Sequence, residues 1–172
     1  TIAACVDGIY QKDDPGTGFF GFFEFEEDVR VAGALLEAAR GWLAHRGMTK
    51  AIGPFSFNSN HEFGLLVDGF DTDPCIANPH NRDYYARHYE AMGLSKAMDW
   101  YAYWLDKGPV PEKIERIALR FLDRNPQVTL RPMDMSNFEQ ECQLFWEIYN
   151  DAWEENWGHV FINEEEFWWM AK

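Results

Sequence analysis

Hydrophobic residues in the first third of the chain predict two strands, a helix and a third strand. Over residues 1–11 apolar residues alternate along the chain, which is the period of a β-strand. The run GFFGFFEFE at 18–26 is apolar on both faces until its last residues, as in a central, buried strand. Between 28 and 46 the apolar positions recur every three or four residues, which predicts an amphipathic helix. A further short strand follows at 50–55.

The order of these elements predicts how the strands pair. A turn cluster at 13–16 indicates that the first two strands form an antiparallel hairpin. The succession of strand, helix and strand over 18–55 predicts a βαβ unit, whose strands are parallel and whose crossover is right-handed. Asp28 can cap the helix, and Gly47 can end it.

The remainder of the chain predicts a long loop followed mainly by helices. Residues 58–80 are rich in Asn, Asp, Gly and Pro, and a loop of this length is typical of a binding segment. The other predicted elements are a helix at about 82–92, a strand at 97–105, a helix from Pro111, a short strand near 128–132, a long helix from Ser136 to about Asn156, and a short helix near Asn163.

Charge narrows the possible partners. The 172 residues include 15 Lys and Arg against 29 Asp and Glu, a formal charge of −14. Nucleic acids and anionic membrane surfaces are bound through basic residues, so we expect neither as a partner. No apolar run is long enough for a membrane span. The last 39 residues alone carry a net charge of −9, which indicates a solvated helix face or a docking surface for a basic partner.

Cysteine and histidine spacing predicts neither disulfides nor a metal centre. Cys5, Cys75 and Cys142 are isolated, and a cytoplasmic protein with buried thiols is the default interpretation. No HExxH or His-x-His spacing occurs, so we expect no metal. The chain begins without Met in a strand-like run and stops within an aromatic helix pattern, from which we expect a fragment of a longer protein.

A possible anion site lies where the strand at 18–26 leads into the following helix. The first turn of a helix presents unpaired N–H groups, and small residues there allow a pyrophosphate to approach the backbone. Ordinary helix packing is the alternative explanation. The segment in question consists of Arg30, Val31, Ala32, Gly33 and Ala34.

In this arrangement the chain resembles the GNAT-type N-acetyltransferases. Arg30, Gly33 and Ala34 match or adjoin the Gln/Arg-x-x-Gly-x-Gly/Ala signature for acetyl-CoA, with Leu35 in place of the last small residue. The run from Tyr89 to Leu94 fits the pattern Tyr-x-x-x-Gly-Phe with Leu in the last position. More closely, GFFGFFEFE, RGMTKAIGPFSFN, GLLVDGFD and NDAWEENWGHV resemble uncharacterised bacterial proteins with two tandem GNAT-like halves.

The resemblance implies an α/β (α+β) fold with a mixed twisted sheet flanked by helices. Residues 1–106 would be a GNAT-like core that starts at the third strand, and 107–126 a linker and helix. Residues 127–172 would be the opening strand and helices of a second half. We expect this last segment to pack on the core, in permuted order or swapped between two chains, because its five Trp residues need a core.

The resemblance also implies transfer of an acetyl group from acetyl-CoA, or another acyl group from its CoA thioester, to an amine in a ternary complex. Tyr89 would be the general acid, with Tyr84 and Tyr85 as alternatives, and Glu24 or Glu26 would deprotonate the amine. Backbone N–H groups from Phe23 to Glu26, including Phe25, would polarise the thioester carbonyl. His61, Glu62 and His80 could line the acceptor pocket.

Two other functions remain open from the sequence. Leu35 in the phosphate segment favours a GNAT-like module that binds but does not catalyse. The aromatic, acidic C-terminal segment instead favours an assembly domain, which would form a homodimer.

Overall fold

The structure, a computed structural model, describes all residues from Thr1 to Lys172. It contains three short strands, five α-helices and two 3-10 turns. The strands are β1 (Ala3–Cys5), β2 (Thr17–Gly21) and β3 (Lys50–Ile52). The helices are α1 (Val29–Ala44), α2 (Tyr85–Ala91), α3 (Glu112–Arg124), α4 (Phe138–Trp153) and α5 (Glu164–Ala171). No helix is long and apolar enough to cross a membrane.

The chain divides into two compact units. One unit combines Thr1–Asp99 with Trp146–Lys172, and the other is Trp100–Phe145. The first unit contains the whole sheet, α1, α2 and α5, whereas α3 belongs to the second.

The sheet confirms the predicted mixed α+β class. Its order is β1-β2-β3, with β2 in the centre. The hairpin pairing is antiparallel, with Ala4 opposite Phe20, and the βαβ pairing is parallel, with Gly18 opposite Ala51. The helix between β2 and β3 begins as predicted, since the Asp28 carboxylate accepts a hydrogen bond from the backbone N–H of Arg30. These elements follow directly from the hydrophobic periods.

Strand β2 separates two hydrophobic clusters, because successive side chains of a strand point to opposite faces. All five of its residues are buried. Phe20 packs in a cluster with α1 and α2 whose members are Phe20, Phe23, Phe25, Ala32, Leu36, Tyr85 and Tyr89. Phe19 packs in the other cluster, with Tyr10, Ile52, Phe55 and Val160. Each buried Phe side chain contributes about 1.5–3 kcal/mol relative to an exposed one.

The strand predicted at 18–26 is shorter in the structure, because Phe22 interrupts it. The φ angle of Phe22 is +46°, in the left-handed region that bulky residues rarely adopt. The backbone therefore leaves the sheet after Gly21, although Phe23 and Phe25 still enter the cluster around α1 and α2.

Two other predicted strands, at 97–105 and 128–132, are absent. Within the aromatic run at 97–105, Tyr103, Trp104 and Leu105 are more than 80% exposed. A strand forms only when an adjacent sheet edge accepts its backbone hydrogen bonds, and neither edge strand of the sheet, β1 or β3, pairs with these runs. The residue pattern thus reflects strand propensity without specifying a partner strand.

Residues near the C-terminus are held on the core by side-chain amides. The Asn60 amide donates to the Val160 carbonyl at 3.0 Å, and the Val160 N–H donates to the Ser59 hydroxyl at 3.1 Å. The Asn150 side chain bonds both backbone groups of Ile162, at 2.9 and 3.1 Å. These contacts place Val160, which is 1% exposed, in the cluster with Phe19 and Phe55.

We predict that Gly21→Ala destabilises the protein by about 1–3 kcal/mol, the usual cost of overpacking. A Cβ atom at Gly21 would lie 1.9 Å from the Phe55 carbonyl oxygen, so the backbone would have to move. Gly41→Ala is the matched control, because a Cβ there has open space within α1 and should stabilise by about 0.5–1 kcal/mol. Urea denaturation measures both values, and equal effects would contradict the close packing.

Candidate functional site

One cavity of about 480 Å³ gathers several of the predicted site residues. Its walls come from the end of β2, the long loop and α2, all within the first unit. Glu24, Tyr89, Glu62 and His80 line it together. Residues far apart in the sequence, from Glu24 to Tyr89, therefore line the same cavity. Two of them, Glu24 and Glu62, carry carboxylates.

A hydrogen-bond network fixes the carboxylate of Glu24. The Tyr85 hydroxyl donates to Oε2 of Glu24 at 2.6 Å and accepts from the backbone N–H of Phe25 at 3.3 Å. The Tyr85 ring stacks on Phe25, with centroids 4.3 Å apart. Burial, together with the hydrogen bond to Glu24, raises the pKa of Tyr85 to about 12. Tyr85 consequently remains a hydrogen-bond donor across the physiological pH range.

Tyr89 lies on the same wall, one helical turn after Tyr85. Its ring packs among Phe20, Phe23 and Phe25 and is 7% exposed. Burial is the main cause of a strongly raised pKa for Tyr89, and the nearby Tyr85 and Glu24 raise this pKa further. The Tyr89 phenol therefore stays protonated at neutral pH, with its proton available at the cavity.

The left-handed turn at Phe22 leaves backbone donors at the cavity. Phe22 and Phe23 both line it, and neither backbone N–H donates to an acceptor in the structure. The next N–H groups are used, because Glu24 donates to the Thr1 carbonyl and Phe25 to the Tyr85 hydroxyl. Within the predicted segment from Phe23 to Glu26, the Phe23 N–H therefore belongs to a residue that lines the cavity and has no acceptor, whereas Glu26 does not line the cavity.

Some predicted site residues lie elsewhere. Glu26 is exposed and does not line the cavity. Both backbone polar groups of Phe25 are hydrogen-bonded. Its N–H donates to the Tyr85 hydroxyl, and its carbonyl accepts from the Tyr84 hydroxyl at 2.8 Å. His61 pairs with Glu166 of α5 at 2.9 Å, and its ring lies edge-on to Phe57. His61 thus connects the long loop to the C-terminal helix, whereas its neighbour Glu62 reaches the cavity.

The segment predicted to bind the phosphates of a CoA thioester begins in the first turn of α1, which starts at Val29. Arg30, Val31 and Ala34 border an open groove, together with Leu35, while Ala32 is fully buried. Asp28 occupies the helix N-terminus, where its carboxylate accepts from the Arg30 N–H at 2.9 Å and pairs with the Arg30 guanidinium at 2.7 Å. Gly33 has open space where a Cβ would be.

These contacts keep Asp28 ionised. The side-chain and backbone hydrogen bonds from Arg30 lower the pKa of Asp28 to about 2. A negative charge therefore already occupies the positive end of the helix dipole, where an added pyrophosphate would meet repulsion.

The sequence predicts Tyr85 only as an alternative to Tyr89 as the general acid. In the structure the Tyr85 hydroxyl instead orients the carboxylate of Glu24. Its distinguishing contact is with Glu24, a residue 61 positions away. The available signal was the spacing, because Tyr85 and Tyr89 are four residues apart and so share a helix face. No group of three or more His, Cys, Asp or Glu residues is arranged to hold a metal ion.

Two curated proteins are similar to this chain. Protein YghO of Escherichia coli (strain K12) is 39% identical over 168 residues, which are 96% of this chain and 43% of that protein. Bacterial ceramide synthase of Caulobacter vibrioides (strain NA1000 / CB15N) is 41% identical over 174 residues, 99% of this chain and 45% of that protein. The chain thus spans less than half the length of these relatives. No family model and no solved structure matches it.

We predict that Asp28→Asn lowers the melting temperature slightly at pH 6 but not near pH 2. The folded-state pKa of Asp28 lies below its usual value of 3.8, so the ionised carboxylate stabilises the folded protein above about pH 4. That stabilisation decreases as the pH falls towards 2. Thermal melts of both proteins from pH 2 to 7 measure the difference. A difference in melting temperature that increased as the pH fell would contradict the role of Asp28 as the N-cap of α1.

Proposed function

We propose that the chain contributes the acyl-transfer site of an enzyme that joins an acyl thioester to an amine. The observation that carries the proposal is the cavity in which Glu24, Tyr89 and the unpaired Phe23 N–H meet. These groups are a base, an acid and an oxyanion donor, the three functions that aminolysis of a thioester requires. A GNAT-type fold, cytoplasmic location and homodimer formation remain part of the proposal.

In the proposed reaction, Glu24 takes one proton from the ammonium form of the acceptor. The amine nitrogen then attacks the thioester carbonyl, and the Phe23 N–H donates to the oxyanion that develops. As the carbon–sulfur bond breaks, the Tyr89 hydroxyl protonates the departing thiolate. The second amine proton returns to Tyr89, and Glu24 releases its proton to solvent. The products are an amide and a thiol.

The acceptor class is suggested by one relative. A ceramide is an amide of a fatty acid with a long-chain amino alcohol, so a protein named bacterial ceramide synthase supports amide formation on a lipid amine. Glu24 and Glu62 in the cavity suit the positive charge of an ammonium group. The net charge of −14 also attracts cationic ligands.

The phosphates of a CoA donor do not fit the N-terminus of α1 in the arrangement seen. The ionised Asp28 already accepts the hydrogen bond from the Arg30 N–H that a phosphate would need. The proposal therefore uses only the thioester end of the donor and assigns no residue to its phosphates.

A second candidate function is a binding module without catalysis. It is favoured by the same Asp28 contact and by Leu35, whose side chain borders the groove beside Arg30. Such a module would bind the lipid amine in the cavity yet form no amide.

We predict that Glu24→Gln lowers the rate of amide formation by about 10²–10⁴-fold, the usual contribution of a general base. The assay follows thiol release from an acyl-CoA in the presence of a long-chain amino alcohol. Glu26→Gln is the matched control and should retain activity, because Glu26 lies outside the cavity. Full activity of Glu24→Gln would refute the proposed base. Amine binding without thiol release by the unaltered chain would favour the binding module.

We predict that Tyr85→Phe lowers kcat about tenfold, which corresponds to one hydrogen bond to a charged group. The substitution removes the donor that orients Glu24 but keeps the stacked ring. Tyr84→Phe is the matched control. It removes the hydroxyl that donates to the Phe25 carbonyl, outside the cavity, and should leave kcat unchanged. Equal losses in the two variants would indicate that both act through stability alone, which melting temperatures would reveal.

A further inference from the structure

The segment at 62–65 lines part of the cavity and carries Glu62, one of its two carboxylates. No helix or named strand contains this segment, and none of its residues is buried. Hydrogen bonds to the chain after β3 hold its backbone. The Glu62 carbonyl accepts from the Ser56 N–H at 2.8 Å, and the Gly64 N–H donates to the Pro54 carbonyl at 2.9 Å. The position of Glu62 therefore depends on hydrogen bonds rather than on burial.

The far end of this segment is held by the side-chain amide of Asn81. Its Oδ1 atom accepts from the Leu66 N–H at 2.7 Å, and its Nδ2 atom donates to the Leu66 carbonyl at 3.1 Å. Nδ2 also donates to the Arg82 carbonyl at 2.9 Å. A side-chain amide has two N–H donors. Both are used within the protein, so Asn81 has no donor left for a ligand, although it lines the cavity.

Asn81 connects the segment that carries Glu62 to the start of α2. The Arg82 carbonyl, which accepts from Asn81, also accepts from the N–H of Tyr85, the first residue of α2. Helix α2 has an anchor of its own, because Tyr85 and Tyr89 are buried in the cluster with Phe20. Loss of the Asn81 amide would therefore loosen the Glu62 segment more than the helix.

We propose that Asn81 is a positioning residue for the acceptor amine, because its amide holds the Glu62 segment against α2 before the amine binds. The inference rests on the proposed function, since it assigns the ammonium group to this part of the cavity. A binding surface that is already ordered avoids the entropic cost of ordering on binding. Without the Asn81 amide, Leu66 would bond to water and the segment would be ordered anew by each amine. The amine would then bind more weakly, with little change in the chemistry once it is bound.

A second Asn residue supplies the matched control. The Asn150 amide bonds both backbone groups of Ile162, at 2.9 and 3.1 Å, just as Asn81 bonds those of Leu66. It belongs to the same unit and does not line the cavity. Asn150 is buried, whereas Asn81 is only partly buried, and unsatisfied groups cost more when they are buried. Asn150→Ala should consequently destabilise the protein more than Asn81→Ala does.

The test measures octylamine binding by calorimetry without an acyl donor, and then KM for octylamine with octanoyl-CoA as the donor. We expect Asn81→Ala to raise the dissociation constant and KM about tenfold, with little change in kcat. Asn150→Ala should leave both constants unchanged while it lowers the melting temperature further. Hydrogen exchange at the Leu66 N–H should become faster in Asn81→Ala and stay unchanged in Asn150→Ala.

Several outcomes would overturn the inference. These are unchanged octylamine binding in Asn81→Ala, equal weakening in Asn150→Ala, weaker binding without faster exchange at Leu66, and no octylamine binding by the unaltered chain. If Asn150→Ala does not fold, Asn163→Ala replaces it, because Asn163 caps α5 at an exposed position outside the cavity. Octylamine binding that Asn81→Ala weakens, without thiol release from octanoyl-CoA, would support the role of Asn81 and refute acyl transfer.

Discussion

Burial of β2 on both faces is the constraint on which the first unit depends. Phe19 and Phe20 are adjacent in sequence but belong to different clusters, so one strand forms the wall between two cores. A strand without an exposed face cannot shift its register by one residue without exchanging the contents of both cores. The small residues at Gly18 and Gly21 then allow neighbouring segments to approach its backbone closely.

The cavity is a consequence of how that strand ends. If β2 continued beyond Gly21, the N–H groups that follow would be used in strand pairing. The left-handed residue Phe22 instead redirects the chain, so that Phe23 keeps its side chain in the core while its N–H remains unpaired. Strained backbone of this kind persists only where surrounding packing determines it. Here Phe22 packs edge-on against Phe57, which is itself in a left-handed conformation.

Much of the first unit could be predicted from the sequence, because the pattern that determines each of its elements lies within a few consecutive residues. The periods of 2 and 3.6 gave the hairpin, the parallel pair and α1, and Asp28 and Gly47 marked the limits of that helix. The site was predictable only in part. Glu24 and Tyr89 were indicated by a resemblance in motifs, but the hydrogen bond that joins Tyr85 to Glu24 depends on how α2 packs, which no local pattern encodes. For the same reason the aromatic run at 97–105 predicted a strand that the structure lacks.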